Sequence, residues 1–255
     1  MSNQMRAEIF KLLRNKTIWV LVFTITGISA FLHYLVIIEW WQMSGTPFDQ
    51  VGLSEFNAIT IFTVPTFFNL IISPLAGFYI SNEFSESGAI KNQIISGSKR
   101  SHIFLAKYLI FSIGAIVVTI IIPLMTVLVE VILLGQGEIL TTTNMLYLVR
   151  TYGLFILQFV VFTAIRVLIT TVTEDSGQTI IFSILLTIIM YIIDMANNLP
   201  IISAIYKNSI FHQFSEVFNY SMTNGEIIKA IIIALLSLIV VLVFGVLIFN
   251  KKEIK

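Results

Sequence analysis

The sequence predicts an all-α membrane protein with six transmembrane helices and both termini on the cytoplasmic side. Three observations predict it. The chain is 57% hydrophobic and 11% charged, where a soluble domain carries about a quarter charged residues. Its mean hydropathy of +0.94 implies more apolar surface than a chain of this size can hide in its own interior. Six apolar runs reach the roughly 20 residues that span a bilayer core as a helix, and the basic residues are spread unevenly among the segments that join them.

The runs lie near residues 17–38, 58–80, 106–134, 152–172, 178–197 and 227–249. Backbone groups in lipid must bond to one another, so each run is expected to be helical. The third is long enough to tilt or to project beyond the membrane. The first is as long as a full span and has no small-residue cleavage site after it, so it is expected to stay as a helix and not to act as a cleaved signal. Pro65 and Pro74 in the second run and Pro123 in the third are expected to kink their helices. Such kinks serve gating or static packing.

Orientation follows from Lys and Arg. Arg6, Lys11, Arg14 and Lys16 precede the first run; Lys91, Lys99, Arg100 and Lys107 separate the second from the third; Lys251, Lys252 and Lys255 follow the last. Six crossings put all of these on one side. Only Arg150, Lys207 and Lys229 fall on the other, whose first loop carries Glu39, Asp49 and Glu55. The basic side is the cytoplasmic one.

Two shorter elements are legible. In residues 3–15, Met5, Ile9, Leu12 and Leu13 share a helical face while Arg6, Glu8, Lys11 and Arg14 lie elsewhere. This pattern predicts an amphipathic helix on the inner membrane surface, the plainer alternative being an ordinary basic flank. Residues 198–226 are too apolar for a solvent loop and too interrupted to span. Ile210, Phe214, Val217 and Phe218 share a face there, predicting one or two short helices in the outer leaflet, packed on protein or a wet cavity.

Several kinds of chemistry are excluded. There is no G-x-x-x-x-G-K-[ST] phosphate loop, no H-E-x-x-H, no G-x-S-x-G and no cysteine. His33, His102 and His212 lie far apart, so no metal site is expected. A net charge of +1 makes no case for nucleic acid. No catalytic residue and no cofactor are expected on this chain. Arg166, about six residues or roughly 9 Å from the cytoplasmic end of the fourth run, is expected to snorkel, to pair locally, or to lie on a substrate path. Glu130 and Asp194 sit near outer ends. The 21 Phe residues line an apolar route or face lipid and fill gaps.

The most informative stretch is residues 81–107. Ile90, Ile94 and Ile95 fall on one helical stripe around Lys91, Asn92 and Gln93. This predicts a short amphipathic helix begun near Ser87 and stopped by Gly97. Its stripe has two places to go: a groove on a soluble partner, or back onto the membrane.

This stretch resembles the inner loop of type-2 ABC transporter permeases, where an acidic residue and a Gly-Thr pair open a short helix. A serine/arginine turn follows, and a lysine begins the third span. The matching residues are Glu83, Gly88, Ile90-Lys91-Asn92, Arg100 and Lys107. Ala89 stands where threonine is usual, and the gap from Glu83 to Gly88 is one residue longer than the family's. The order of interfacial helix, six spans, inner turn near Thr173-Glu174-Asp175-Ser176 and apolar outer segment extends the likeness over the whole chain. Within the family the chain is most similar to small Gram-positive permeases of peptide and bacteriocin export or immunity, such as those of bacitracin resistance and phenol-soluble modulins.

The resemblance implies a non-catalytic permease subunit in a bacterial cytoplasmic membrane. It would pair with an identical or similar permease and with two separate ATPase subunits, which hold the ATP and Mg. Glu86, Gly88, Ile90, Lys91, Ile94, Ile95 and Arg100 would form the coupling region that meets the ATPase, and Thr173, Glu174 and Asp175 a second contact. Pro65, Pro74, Pro123 and Arg166 are the gating or substrate-path positions. The expected substrate is an amphipathic or hydrophobic peptide, with lipids or drugs as the alternative. An ion-coupled secondary carrier would show acids through the membrane and internal repeats, and neither is present in the sequence.

Overall fold

Every regular element among the described residues is helical, as lipid-facing backbone requires. The computed structural model describes residues 2–41, 43–84, 89–135, 139–195 and 200–252. Among the described residues five helices are long and apolar enough to cross a membrane: Lys16–Ile37, Arg100–Leu133, Thr142–Thr173, Ser176–Met195 and Asn224–Lys251. They correspond to five of the six predicted runs. Some extend well past the predicted ends, most of all the one that begins at Thr142.

The second predicted run, 58–80, is not one helix. After α1 (Ser2–Arg14) and α2 (Lys16–Ile37), it forms α3 (Ile59–Thr63) and α4 (Pro65–Ile80), parted at Val64 with φ −65° and ψ 130°. Pro65 has no N–H, and its ring pushes the preceding residue out of the helical region. It therefore starts α4 as the first helical residue. The expected kink at Pro65 is a break; Pro74 is carried inside α4.

In the third run the helix is continuous but changes pitch. After α5 (Ala89–Ile95) and α6 (Arg100–Ile116), residues Val117–Ile121 form a π turn before α7 (Ile122–Leu133). Pro123 stands two residues after that turn, in the first turn of α7. Its missing N–H interrupts the α ladder, and the wider i→i+5 turn is a known way of absorbing such an interruption.

The core is built around α8 (Thr142–Thr173), which packs on α4, α6, α9 (Ser176–Met195) and α12 (Asn224–Lys251). In its apolar stretch 61% of residues are buried, against 11% in α9 and in α12. Phenylalanine supplies much of the packing. Phe68 of α4 meets Phe159 with ring centroids 4.9 Å apart, and Phe214 meets Phe155 at 4.6 Å and Phe162 at 4.7 Å. Part of the Phe excess is therefore internal, while Phe23, Phe31, Phe182 and Phe244 face outward.

Between α9 and α12 lie α10 (Pro200–Lys207) and α11 (Ile210–Glu216), the short helices expected there. Ile210, Phe214, Val217 and Phe218 are all buried, so their shared face packs on protein. At this end Tyr147 donates to the Phe218 carbonyl at 2.8 Å, Arg150 donates to the Asn219 carbonyl at 2.8 Å, and Phe48 packs against Tyr147 and Phe218. The opposite end gathers α1, residues 81–84, α5, the α8–α9 turn and the end of α12. The chain passes from one end to the other through α3 and α4. Gly77 of α4 permits a close approach there: a Cβ on it would stand 3.0 Å from the Ser176 carbonyl oxygen.

Candidate functional site

The end that holds α1 and α5 is organised by charge. The face that α1 turns toward the protein carries Glu8, only 1% exposed. Leu12 lies over Gly114 of α6, where a Cβ would come within 3.0 Å of it. Ile9, Phe10 and Leu13 are exposed. A helix that buries a carboxylate and turns large apolar groups outward is suited to lie against lipid.

Glu8 is one of four charges that meet in this interior. Lys107 of α6 donates to Glu8 at 3.0 Å and also to Glu83, in the 3₁₀ turn Ser81–Glu83 after α4. Lys11 donates to Glu8 at 2.9 Å and to both Glu83 oxygens at 3.1 and 3.2 Å. Tyr79 donates to the Glu8 carboxylate and to its carbonyl, each at 3.1 Å. Gln93 of α5 reaches the same carboxylate at 3.4 Å. Two carboxylates and two ammonium groups sum to zero, so burial does not leave a net charge in the interior.

Burial alone would raise the Glu8 carboxyl, but Lys107 and Lys11 outweigh it and hold the group below its ordinary 4.5. Burial would likewise lower Lys11, yet Glu83 and Glu8 hold it above 10.5. The cluster therefore ties α1, the end of α4, α5 and α6 into one block.

On that block sits α5. Ile90 is fully buried and Ile94 packs against the core, whereas Ile95 is 74% exposed beside exposed Lys91 and Asn92. The predicted apolar stripe thus divides. Ile90 and Ile94 turn back onto the chain, and Ile95, Lys91 and Asn92 are left for another surface. Gly97, at φ +84°, ends the helix as expected. Its N–H donates to the Ile94 carbonyl at 2.9 Å and that of Ser98 to the Gln93 carbonyl at 3.1 Å, the paired bonds of a glycine C-cap. Glu86, Gly88 and the expected start near Ser87 lie outside the described residues.

Arg100 belongs to α6 and not to α5. Its guanidinium donates to the Asn250 carbonyl at 3.1 Å, and to those of Phe249 and Lys252. It therefore satisfies carbonyls left open at the C-terminus of α12. Thr173, Glu174 and Asp175 form the α8–α9 turn. Glu174 closes α8 at φ 56°, and Lys252 pairs with it at 2.9 Å while bonding the Thr171 and Val172 carbonyls. Asp175 accepts from the Gln178 N–H at 2.8 Å, capping α9. Lys252 and Arg100 thus tie α12 to both α8 and α6.

Arg166 does not snorkel. It is fully buried on α8, and its Nη2 donates to Asn69 Oδ1 of α4 and to Thr187 Oγ1 of α9, the latter at 3.4 Å. Pro65 and Pro74 belong to the helix that supplies Asn69, while Pro123 belongs to α7, which packs on α2. Reading the sequence missed Glu8, Tyr79, Asn69 and Thr187 as site residues. Glu8 had a signal, as the one acid among the basic residues of segment 1–16. Asn69 had one too, an amide within an apolar run.

Long apolar helices around a phenylalanine core, with a charge-locked amphipathic helix at one end, define a multi-pass membrane protein. The model of the ABC-2 family transporter proteins matches residues 4–194, and the chain belongs to that family. Its members are normally non-catalytic permeases that work with ATPase subunits. The resemblance to type-2 ABC permeases therefore holds at the level of the family. No curated protein and no solved structure matches the chain.

Proposed function

We propose that this chain is the permease of an ATP-driven exporter in a bacterial cytoplasmic membrane. It crosses the bilayer six times with both termini inside, α3 and α4 together making the second crossing. It works as a pair with itself or a similar permease, on two separate ATPase chains that hold ATP and Mg. The substrate is an amphipathic or hydrophobic peptide, such as a toxin, bacteriocin or antimicrobial peptide.

One observation carries the ATPase contact: the outward face of α5, with Lys91, Asn92 and Ile95, stands on a block of buried ion pairs. A push on that face reaches α1, α4 and α6 together, because all are joined through Glu8, Glu83, Lys11 and Lys107. The two ends of the bundle support the six crossings. The N-terminal helix, residues 81–84, α5, the start of α6, the α8–α9 turn and the end of α12 meet at one end, as an even number of passes requires. The basic residues of that end agree with a cytoplasmic placement.

Co-purification in mild detergent tests the reading. The wild-type chain is expected to bring down a soluble ATPase, and Ile95→Asp to release it with the thermal midpoint of the permease unchanged. Ile94→Asp is a poor probe, since Ile94 packs inward and its loss disturbs the fold. Transport by the chain alone in proteoliposomes would overturn the assignment. The peptide preference has its own test, in which amphipathic peptides accelerate ATP turnover by the reconstituted complex; acceleration by lipids or drugs alone would replace it.

A further inference from the structure

Arg166 is a buried cation whose needs the protein meets only in part. An arginine in the middle of a membrane helix is costly, and such a group ordinarily finds a carboxylate. Here its recorded partners are an amide oxygen and a hydroxyl, Asn69 and Thr187, both reached by Nη2. Its Nε and Nη1 are buried and have no hydrogen-bond partner among the described residues. Asn69 and Thr187 do not depend on the arginine for order, because Asn69 Nδ2 donates to Thr187 Oγ1. The guanidinium is thus held in place with donors to spare.

The same two residues line a cleft. Asn69, Thr187 and Tyr191 bound a cavity of about 310 Å³ between α4 and α9, otherwise walled by Leu70, Ile184 and Ile188. A second cavity of about 230 Å³ shares Thr187 and Tyr191 and continues to Asp194 and Tyr206. Asp194 lies seven residues beyond Thr187 along α9, about 10 Å of helix. The groove is therefore apolar in its first part and mixed toward Asp194, Tyr206 and Ser215; Arg166 stands behind its wall, bonded to the lining residues Asn69 and Thr187. α9, which forms one wall, is among the least covered of the long helices.

We propose that Arg166, with Asn69 and Thr187, receives the anionic group of a substrate, a carboxylate or phosphate on an amphiphile whose apolar part lies in the α4–α9 cleft. This rests on the reading of the chain as a transport subunit, and it adds the charge class of the cargo. Asp194 repels an anion from the far end and so sets the direction in which the amphiphile lies. The bound anion supplies the charge partner that the protein leaves out.

Equilibrium binding to the full-length chain in phosphatidylcholine nanodiscs tests it, with radiolabelled dodecanoate, dodecyl phosphate and dodecylammonium as probes. Wild type is expected to bind at least one of the two anions saturably and the ammonium more weakly. Arg166→Gln should weaken anion binding by about tenfold or more, as loss of a charged hydrogen-bond donor implies. Arg166→Lys should recover part of it. Thr187→Val, which keeps the cation and lies at the cleft wall, should weaken it with the thermal midpoint retained. Tighter dodecanoate points to a carboxylate cargo such as a peptide terminus, and tighter dodecyl phosphate to a phosphate headgroup. Equal binding of the anions and the ammonium, or unchanged anion binding in both Arg166→Gln and Thr187→Val, would sink the proposal. The measurement needs no ATPase, so its failure leaves the co-purification result standing, and the reverse is also true.

Discussion

Two buried clusters of charge in this protein solve the same physical problem in opposite ways. At the end that holds α1 and α5, Glu8, Glu83, Lys11 and Lys107 neutralise one another, and Tyr79 adds a further donor. In the body of the bundle Arg166 is held by two neutral groups and, among the described residues, keeps two nitrogens unpaired. A neutral, fully bonded cluster fixes the helices that carry it. A cation with spare donors is a site that waits for something. The first arrangement suits the transmission of a push and the second suits recognition.

The contrast makes the removal of one charge cost very different amounts at the two places. Glu83→Gln leaves the ammonium groups with one carboxylate fewer, and is expected to lower stability by about 3–5 kcal/mol, the usual cost of breaking a buried pair. The double change Glu83→Gln with Lys107→Met removes a pair and should recover most of that loss. Thermal unfolding of the detergent-solubilised chain reads both. If the single and double variants unfold alike, the cluster is not the lock described here.

A smaller effect follows from pH. Glu8 is held below its ordinary value, so its contribution is complete above about pH 4.5 and is lost as pH falls through the lower, folded value. Lys11 is held above its ordinary value, so its contribution is complete below about pH 10.5 and is lost as pH rises through the higher, folded one. The thermal midpoint should therefore be level between these limits as far as this pair is concerned, and Glu8→Gln should flatten the acid limb. An unchanged acid limb in that variant would place the titration elsewhere.

Arg166→Met is expected to have the smallest effect on stability, within about 1 kcal/mol of wild type or above it, since replacing a buried charge with a well-packed apolar group is often neutral or favourable. Asn69 and Thr187 keep their bond to each other when the cation goes. A loss as large as that of Glu83→Gln would move Arg166 into the structural class and erase the distinction between the two clusters.

Much of the architecture could be read before any coordinates. The five long helices and the short pair before α12 stand where apolar runs and helical spacing put them, and Gly97 stops α5 for a reason visible in its residue type. Other features could not be read. The stripe of Ile90, Ile94 and Ile95 showed that α5 is amphipathic, but not that two of the three turn inward. Arg100 looked like part of the coupling segment, yet it serves carbonyls about 150 positions away at the end of α12. The break at Val64 was within reach, because the residue before a proline resists helix, but whether a proline kinks or severs a span depends on what packs beside it.

The sequence by itself determined the solvent of this protein, the places of its long apolar helices and the end on which its basic residues gather. These depend on composition, on runs of about 20 residues and on local spacing, all of them properties of neighbours in the chain. Only the tertiary structure decided that Glu8 meets Lys107 across 99 positions and that Arg166 meets Asn69 across 97. Such meetings depend on which faces of separate helices turn toward each other. Helical periodicity says that a face exists, and packing in three dimensions chooses what it touches.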